Sequence, residues 1–244
     1  MNAEKSVFFE EEFVDPFDGE KNDFLVKAEH LMRYRLAADR IKNGKIVYDI
    51  ACANGYGTKI LSKVSEKAIG LDKTGSFLND ARENNSSDNI EYRQADLDKE
   101  SLSNLPKADY IICFETIEHL EKPEKFLREA FDLLNAGGVL ICSVPNRKYD
   151  PVKEDGAPKN EFHKHLFSRA DITNMLESAG FGGLESLGQP WPNILVNYFH
   201  WTLGGLDKIA FKNDRSFERW ARRIAYPTKR LRGTSYSFIF IAKK

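Results

Sequence analysis

Apolar residues recur at helical spacing from Asp23 to Ile41: Phe24, Leu25, Ala28, Leu31, Met32, Leu36, Ala37 and Ile41, with Gly44 following as a stop. Downstream the rhythm changes to short apolar runs parted by longer mixed stretches. The runs at 45–50, 67–72, 90–95, 108–114 and 138–144 read as strands, and the stretches at 56–64, 75–84 and 122–134 read as helices between them. Ala108 to Phe114 is nearly all apolar, the pattern of a strand covered on both faces. Strands that alternate with helices imply parallel pairing through right-handed crossovers. After Pro145 a polar loop runs from Asn146 to Lys159, a helix is expected at 168–179 before Gly180, and a strand at 183–189. Ser168, with Asp171 three residues on, has the form of a capping box for that helix. Tyr236 to Ala242 supplies the last strand.

The expected fold is α/β: a Rossmann-like, doubly wound, seven-stranded and mostly parallel sheet with an antiparallel last strand and helices on both faces. Four segments follow: an N-terminal arm and cap helix at 1–44, a cofactor-binding core at 45–189, an aromatic and basic insertion at 190–233, and the last core strand at 234–244.

Composition narrows the function classes. The chain has 244 residues, 36 Lys plus Arg against 37 Asp plus Glu, and a formal charge of −1, so it lacks the general basic field of a nucleic-acid binder. Charge is nonetheless uneven. The first 23 residues carry Glu4, Glu10, Glu11, Glu12, Asp15, Asp18, Glu20 and Asp23 against Lys5 and Lys21, whereas residues 208–232 are strongly basic. Cys52, Cys113 and Cys142 end or approach the ends of apolar strands with no Cys-x-x-Cys spacing, as buried free thiols in a reducing compartment do. No signal peptide and no run of transmembrane length are read from the sequence, and a cytoplasmic location is expected.

The chemistry concentrates at the first strand–helix turn. Ile46 to Ile50 runs into Ala51-Cys52-Ala53-Asn54-Gly55-Tyr56-Gly57, and Asp72 closes the second strand. Small residues let backbone approach a ligand, and a carboxylate at the neighbouring strand end can hold a ribose diol. A dinucleotide fingerprint would need glycine where this chain has Ala51, Ala53 and Tyr56, so a pyrophosphate fits poorly and a nucleoside cofactor without phosphates fits better.

Asp49-Ile-Ala-Cys-Ala-Asn-Gly-Tyr-Gly57 resembles the first motif of the class I S-adenosylmethionine-dependent methyltransferases. Taken with His30 to Tyr34, it resembles bacterial members associated with sugars and surface glycans; Ala53 stands where that family usually has glycine. The resemblance covers roughly residues 28–181. It implies S-adenosyl-L-methionine as cofactor, S-adenosyl-L-homocysteine as product, and no metal. It also implies Asp72 at the ribose hydroxyls, Asp96 at the adenine amino group and Leu97 at the ring, with Tyr34, Asp49, Ala51, Asn54, Gly55, Lys73 and Glu115 around the cofactor.

Phe114-Glu-Thr-Ile-Glu-His-Leu120 resembles the family's fourth motif, Pro145-Asn146 its usual Pro-Asn, and Asn160-Glu-Phe-His-Lys-His-Leu-Phe-Ser168 its later histidine segment. His119 and His163 are the candidate general bases, because imidazole titrates near neutrality. Glu118, Asn146, Tyr149, His165, Trp191 and Trp201 are the candidate acceptor contacts. His163 and His165, at i and i+2, lack a nearby carboxylate–histidine set that would complete a metal site.

The insertion crowds Trp191, Tyr198, Phe199 and Trp201 before Lys208, Lys212, Arg215, Arg219, Arg222, Arg223, Lys229, Arg230 and Arg232. Three readings stand together: an amphipathic helix with an aromatic core face, an acceptor lid whose arginines meet anionic oxygens, or an interfacial helix at a membrane surface. The expected activity is methyl transfer to a hydroxyl, with an amine as alternative, on an anionic small molecule such as a sugar, sugar nucleotide or surface-glycan precursor. The alternatives are a lipid or quinone intermediate at a membrane surface, and a cofactor-binding scaffold without catalysis. No nucleic-acid partner is expected, and the sequence leaves the oligomeric state open.

Overall fold

The structure, a computed structural model, describes residues 24–42, 45–190, 214–229 and 235–244. Seven strands form one sheet: β1 Ile46–Ile50, β2 Lys67–Asp72, β3 Ile90–Gln94, β4 Ala108–Phe114, β5 Leu134–Pro145, β6 Gly182–Pro190 and β7 Ser235–Lys243. Their order is β3-β2-β1-β4-β5-β7-β6. β3, β2, β1, β4 and β5 pair in parallel, and β7 lies antiparallel to both β5 and β6. The helices are α1 Phe24–Arg40, α2 Tyr56–Ser62, α3 Gly75–Asn84, α4 Pro123–Leu133, α5 Arg169–Ser178 and α6 Asp214–Ile224. This is the expected seven-stranded α/β sheet with an antiparallel last strand.

Alternation along each strand divides the core in two. Ile111 and Cys113 of β4 face a layer built on Phe126, Leu127 and Ala130 of α4 and on Ile172 and Leu176 of α5. Tyr110 and Ile112 of the same strand face a layer built on Leu31, Leu36 and Ala37 of α1, Ile60 and Leu61 of α2, and Phe217 and Ala221 of α6. The three cysteines are free and buried, and Cys113 and Cys142 belong to the first layer.

One detail departs from the sequence reading. β5 begins at Leu134, not 138, because Ala108 pairs with Leu134 before the register shifts to Tyr110 opposite Val139. The part of the 190–233 insertion that is described packs against α1 and reaches β6. Glu218 pairs with Arg35 at 2.8 Å, Arg222 with Asp39 at 3.1 Å, and Lys229 with Glu185 at 3.3 Å. Trp191, Tyr198, Phe199 and Trp201 lie outside the described residues. Among the described residues, no helix is long and apolar enough to cross a membrane.

The expected capping box is present. The Asp171 amide donates to Ser168 Oγ at 3.2 Å, and the Ser168 amide donates to Asp171 Oδ2 at 2.7 Å. It fixes where α5 starts and so holds the loop before it against the carboxyl ends of the strands.

Candidate active site

Reversal of strand order between β1 and β4 opens a crevice at the carboxyl ends of the parallel strands, where open α/β sheets take ligands. Its volume is about 480 Å³, within the usual range for small-molecule sites. Residues of α1, the β1–α2 turn, the ends of β2 and β4, and the loop after β3 line it.

The β1–α2 turn is tightly wound. Ala51, Ala53 and Gly55 all adopt left-handed backbone, with φ of 57°, 47° and 77°. An L residue there costs about 1–2 kcal/mol, so the two alanines store strain that glycine would not. The Asp72 carboxylate holds the turn. The Ala53 amide donates to its Oδ2 at 2.9 Å and the Thr74 amide to its Oδ1 at 2.8 Å. Asp72 is not the cap of α3, whose N-cap is Thr74. Burial raises its pKa. A carboxylate offers about four acceptor positions. After the two amides and the Thr74 hydroxyl, capacity remains for a ligand hydroxyl, so the residue fits a ribose diol.

Behind the turn, Asp49 is fully enclosed. Tyr34 Oη donates to its Oδ1 at 3.1 Å and Thr58 Oγ1 to its Oδ2 at 2.6 Å. Burial pushes its pKa up to about 7, against the lowering effect of those two donors. Gly57 is needed beside this group, because a Cβ there would stand 2.1 Å from the Tyr34 ring.

At the other end, Glu115, Thr116, Glu118 and His119 follow β4. Glu115 takes φ of 45°, and its carboxylate accepts from Ser143 Oγ at 2.7 Å and Ser237 Oγ at 3.4 Å. Arg33 of α1 reaches it at 3.5 Å, donates to Gln189 Oε1 at 2.7 Å, and leaves its buried Nη1 without a hydrogen-bond partner among the described residues.

Glu118 is 1% exposed, and neither carboxylate oxygen has a hydrogen-bond partner among the described residues. Burial, then the nearby Glu115 charge, raises its pKa well above the usual carboxylate range. His119 Nε2 stands 3.9 Å from Glu118 Oε1, and its Nδ1 lies 2.9 Å from the Phe162 carbonyl.

The Lys164 and His165 amides donate to the Glu118 carbonyl at 2.8 and 3.2 Å, which lays the later histidine segment over this turn. His163 thereby meets His119 edge to face, with ring centroids 4.9 Å apart, while its Nδ1 sits 2.7 Å from Asp150 Oδ2. The sequence reading found no carboxylate–histidine set beside His163. The fold supplies one by bringing Glu118 and His119 to it across more than forty residues.

Of the residues singled out from sequence, Tyr34, Ala51, Asp72, Lys73, Asp96, Leu97, Glu115, Glu118, His119 and His163 line the crevice. Asp96 also accepts from Lys99 Nζ at 2.7 Å, which lowers its pKa.

Asp49, Asn54, Gly55, Asn146, Tyr149 and His165 are not in the lining and instead support the walls. Asn54 Oδ1 accepts from the Tyr56 amide at 3.3 Å, and Asn146 Nδ2 donates to the Ser235 carbonyl at 2.8 Å, tying β5 to β7. His165 Nε2 sits 3.0 Å from the Leu120 carbonyl while its ring stacks on Phe167. Tyr149 is half-buried, its amide donating to the Asn146 carbonyl at 2.8 Å. Trp191 and Trp201 lie outside the described residues.

The sequence reading missed Arg33, Phe77, Thr116 and Tyr236 in the lining. Arg33 carried a signal, because Glu29 and Arg33 form an i,i+4 charged pair on the otherwise apolar buried face of α1.

Comparison with known proteins agrees with this geometry. The profile of a family described as a methyltransferase domain matches residues 26–186. A protein of Mycolicibacterium smegmatis named as a probable S-adenosylmethionine-dependent methyltransferase is 32% identical over 164 residues, 65% of this chain and 60% of its own length. The ubiquinone biosynthesis O-methyltransferase of Acinetobacter baylyi is 29% identical over 183 residues, 66% of this chain and 77% of its own. The crystal structure of an S-adenosylmethionine-dependent methyltransferase from Mesorhizobium loti superposes with a TM-score of 0.62 at 17% identity, covering 90% of this chain and all of the other. The chain thus spans about 60% of the length of its mycobacterial relative. By the profile match and the crevice together, the chain belongs to the methyltransferase-domain family, with the fold of the S-adenosylmethionine-dependent enzymes.

Proposed function

We propose that this chain transfers the methyl group of S-adenosylmethionine to a hydroxyl oxygen of a small molecule. The observation that carries the reading is one continuous crevice with Asp72 at one end and Glu118, His119 and His163 at the other. When bound, the cofactor supplies an electrophilic methyl on a sulfonium that departs as a neutral thioether. Asp72 would accept from the ribose hydroxyls, Asp96 and the Leu97 amide would meet the adenine edge, and Leu71, Phe77 and Ala95 would supply apolar wall. Tyr34, Ala51 and Glu115 would border the path to the reacting methyl.

Positioning two reactants in line lowers the barrier by roughly 7–11 kcal/mol. Proton removal adds about 10²–10⁴-fold. If His119 and His163 each give their Nδ1 proton to the oxygen beside it, both Nε2 atoms carry lone pairs. Either one then accepts the acceptor's proton as its oxygen bonds the methyl carbon.

A sugar, sugar nucleotide or glycan precursor is the acceptor favoured by the resemblance of His30–Tyr34 and Asn160–Ser168, with Arg33 Nη1 a partner for an anionic group. A phenolic hydroxyl of a quinone precursor is the second reading, supported by the Acinetobacter baylyi relative. Methyl-labelled cofactor is incubated with nucleotide sugars and with catechols, and products are read by mass spectrometry. Label on either acceptor identifies the class. His119→Ala and His163→Ala are then compared with wild type at saturating cofactor, and unchanged turnover in both would remove the base assignment.

A further inference from the structure

We propose that Asp150 and His163 act as a pair in the transfer: His163 Nε2 is the general base, and Asp150 is the positioning residue that holds its ring. The inference deepens the methyl-transfer reading and rests on it, and it goes further by choosing one imidazole of the two.

Two asparagine turns bring the pair together. After β5, the Tyr149 and Asp150 amides donate to the Asn146 carbonyl at 2.8 and 3.2 Å, and the Lys148 amide donates to Asn146 Oδ1 at 3.1 Å. Farther along, the Phe162 amide donates to Asn160 Oδ1 at 2.9 Å and the His163 amide to the Asn160 carbonyl at 3.2 Å. Asparagine favours such turns because its short side chain reaches the backbone two residues on. Between the turns the chain doubles back. Val152 and Pro158 form an antiparallel bridge, the Lys159 amide donates to the Pro151 carbonyl at 2.9 Å, and the Lys153 amide donates to the Ala157 carbonyl at 2.7 Å. Two residues 13 apart in sequence thereby meet.

Charge then separates the two histidines. His163 Nδ1 lies 2.7 Å from Asp150 Oδ2, with side chains 11% and 7% exposed, so water screens this pair little. A carboxylate there keeps a proton on Nδ1 and leaves the lone pair on Nε2. Its hydrogen bond strengthens as the ring becomes cationic. His163 lines the crevice, and Asp150 stands behind it, outside the lining. His119 Nδ1 meets the neutral Phe162 carbonyl instead, 2.9 Å away. Glu118 Oε1 is 3.9 Å from His119 Nε2, but burial raises the pKa of that carboxyl well above the usual range, so it is less ionised near neutrality. A proton taken up by His163 is met by a carboxylate on the far nitrogen, and one taken up by His119 by a carbonyl.

The acceptor O–H bond breaks and its proton passes to His163 Nε2 as the oxygen bonds the methyl carbon. The electron pair of the carbon–sulfur bond stays on the departing sulfur. Sulfonium and imidazole become thioether and imidazolium, while Asp150 keeps its charge throughout.

The test uses the full chain and the acceptor that takes label in the screen above. Histidine with ¹⁵N in the ring is incorporated, and the His163 signals are assigned by their loss in His163→Gln. The remaining histidine signals report whether each variant is folded. Wild-type His163 should carry its proton on Nδ1, and Asp150→Asn should move the population toward Nε2–H. Asp150→Asn should lower kcat about 10²-fold or more while KM for cofactor and acceptor changes less than about threefold, and Asp150→Glu should recover part of the loss. His163→Gln should lower kcat about 10²–10⁴-fold, and His119→Gln less than about tenfold. The double variant should be no slower than His163→Gln alone, because Asp150 acts only through that ring. Losses that multiply in the double variant, a kcat unchanged by Asp150→Asn, or turnover abolished by a chelator overturns the proposal. A tautomer unmoved by Asp150→Asn overturns it even where no acceptor is turned over. S-adenosylhomocysteine binding and the labelled screen judge the transfer reading separately. Failure of both removes that reading, whereas their success alongside any of those results removes only the pair.

Discussion

Asp49 and Asp72, at the nucleoside end of the crevice, each accept at least two hydrogen bonds, Asp49 from the Tyr34 and Thr58 hydroxyls and Asp72 from the Ala53 and Thr74 amides, whereas the Glu118 carboxylate at the acceptor end accepts none among the described residues. All three carboxyls are buried and all three pKa values are raised by that burial. The first end is therefore organised by its own backbone amides and hydroxyl side chains before any ligand arrives. The second end holds polar groups whose partners must come from elsewhere, with Arg33 Nη1 in the same condition. Preorganisation lowers the cost of binding at one end, and stored polar cost at the other favours a ligand that satisfies it.

Replacing a carboxyl by an amide at each end separates these cases. The largest expected effect is at Asp49. Its folded pKa of about 7 lies above its unfolded value, so the stability it contributes is present in acid and is lost as pH rises from about 4 to 7. Asp49→Asn cannot ionise. The stability difference between wild type and this variant should change by about 3 kcal/mol between pH 5 and 8, in the variant's favour at pH 8, as read from urea midpoints. A constant difference would mean that Asp49 titrates normally.

Glu118→Gln comes next. It removes a buried ionisable group whose carboxylate has no hydrogen bond among the described residues to lose. The variant should be about 1–3 kcal/mol more stable than wild type at pH 8, and should transfer methyl groups poorly. A less stable variant would show that the carboxylate is already satisfied.

Ala53→Gly is the smallest test. Relief of left-handed strain should stabilise the turn by about 1 kcal/mol, with nucleoside affinity unchanged or slightly improved. A loss of stability would mean that the alanine methyl packs favourably.

Much of the nucleoside end was legible in the sequence because it is local. Ala51 to Gly57 and Asp72 lie on consecutive elements, and short apolar runs placed β1, β2 and β4 within a residue of their observed ends. The Ser168–Asp171 box gave the start of α5 for the same reason. Asp49 and Asn146 were harder to place, because strand-end residues near a site can either meet the ligand or brace the wall, and only the side-chain partners decide. The acceptor end depends on distant encounters. His163 reaches His119 through two amides donated to the Glu118 carbonyl, and Arg33 reaches Glu115 across the sheet end. No local spacing encodes either. The described part of the basic insertion shows the same limit, since Arg222 finds its partner in Asp39 of α1.

The account rests most directly on a calorimetric titration of S-adenosylhomocysteine into the purified chain and into Asp72→Ala and Glu118→Gln. Wild type and Glu118→Gln should bind one nucleoside per chain with similar affinity, and Asp72→Ala should bind at least about 100-fold more weakly, since charge-assisted hydrogen bonds contribute roughly 1.5–3 kcal/mol each. Absence of binding to wild type, or equal binding by Asp72→Ala, would contradict it.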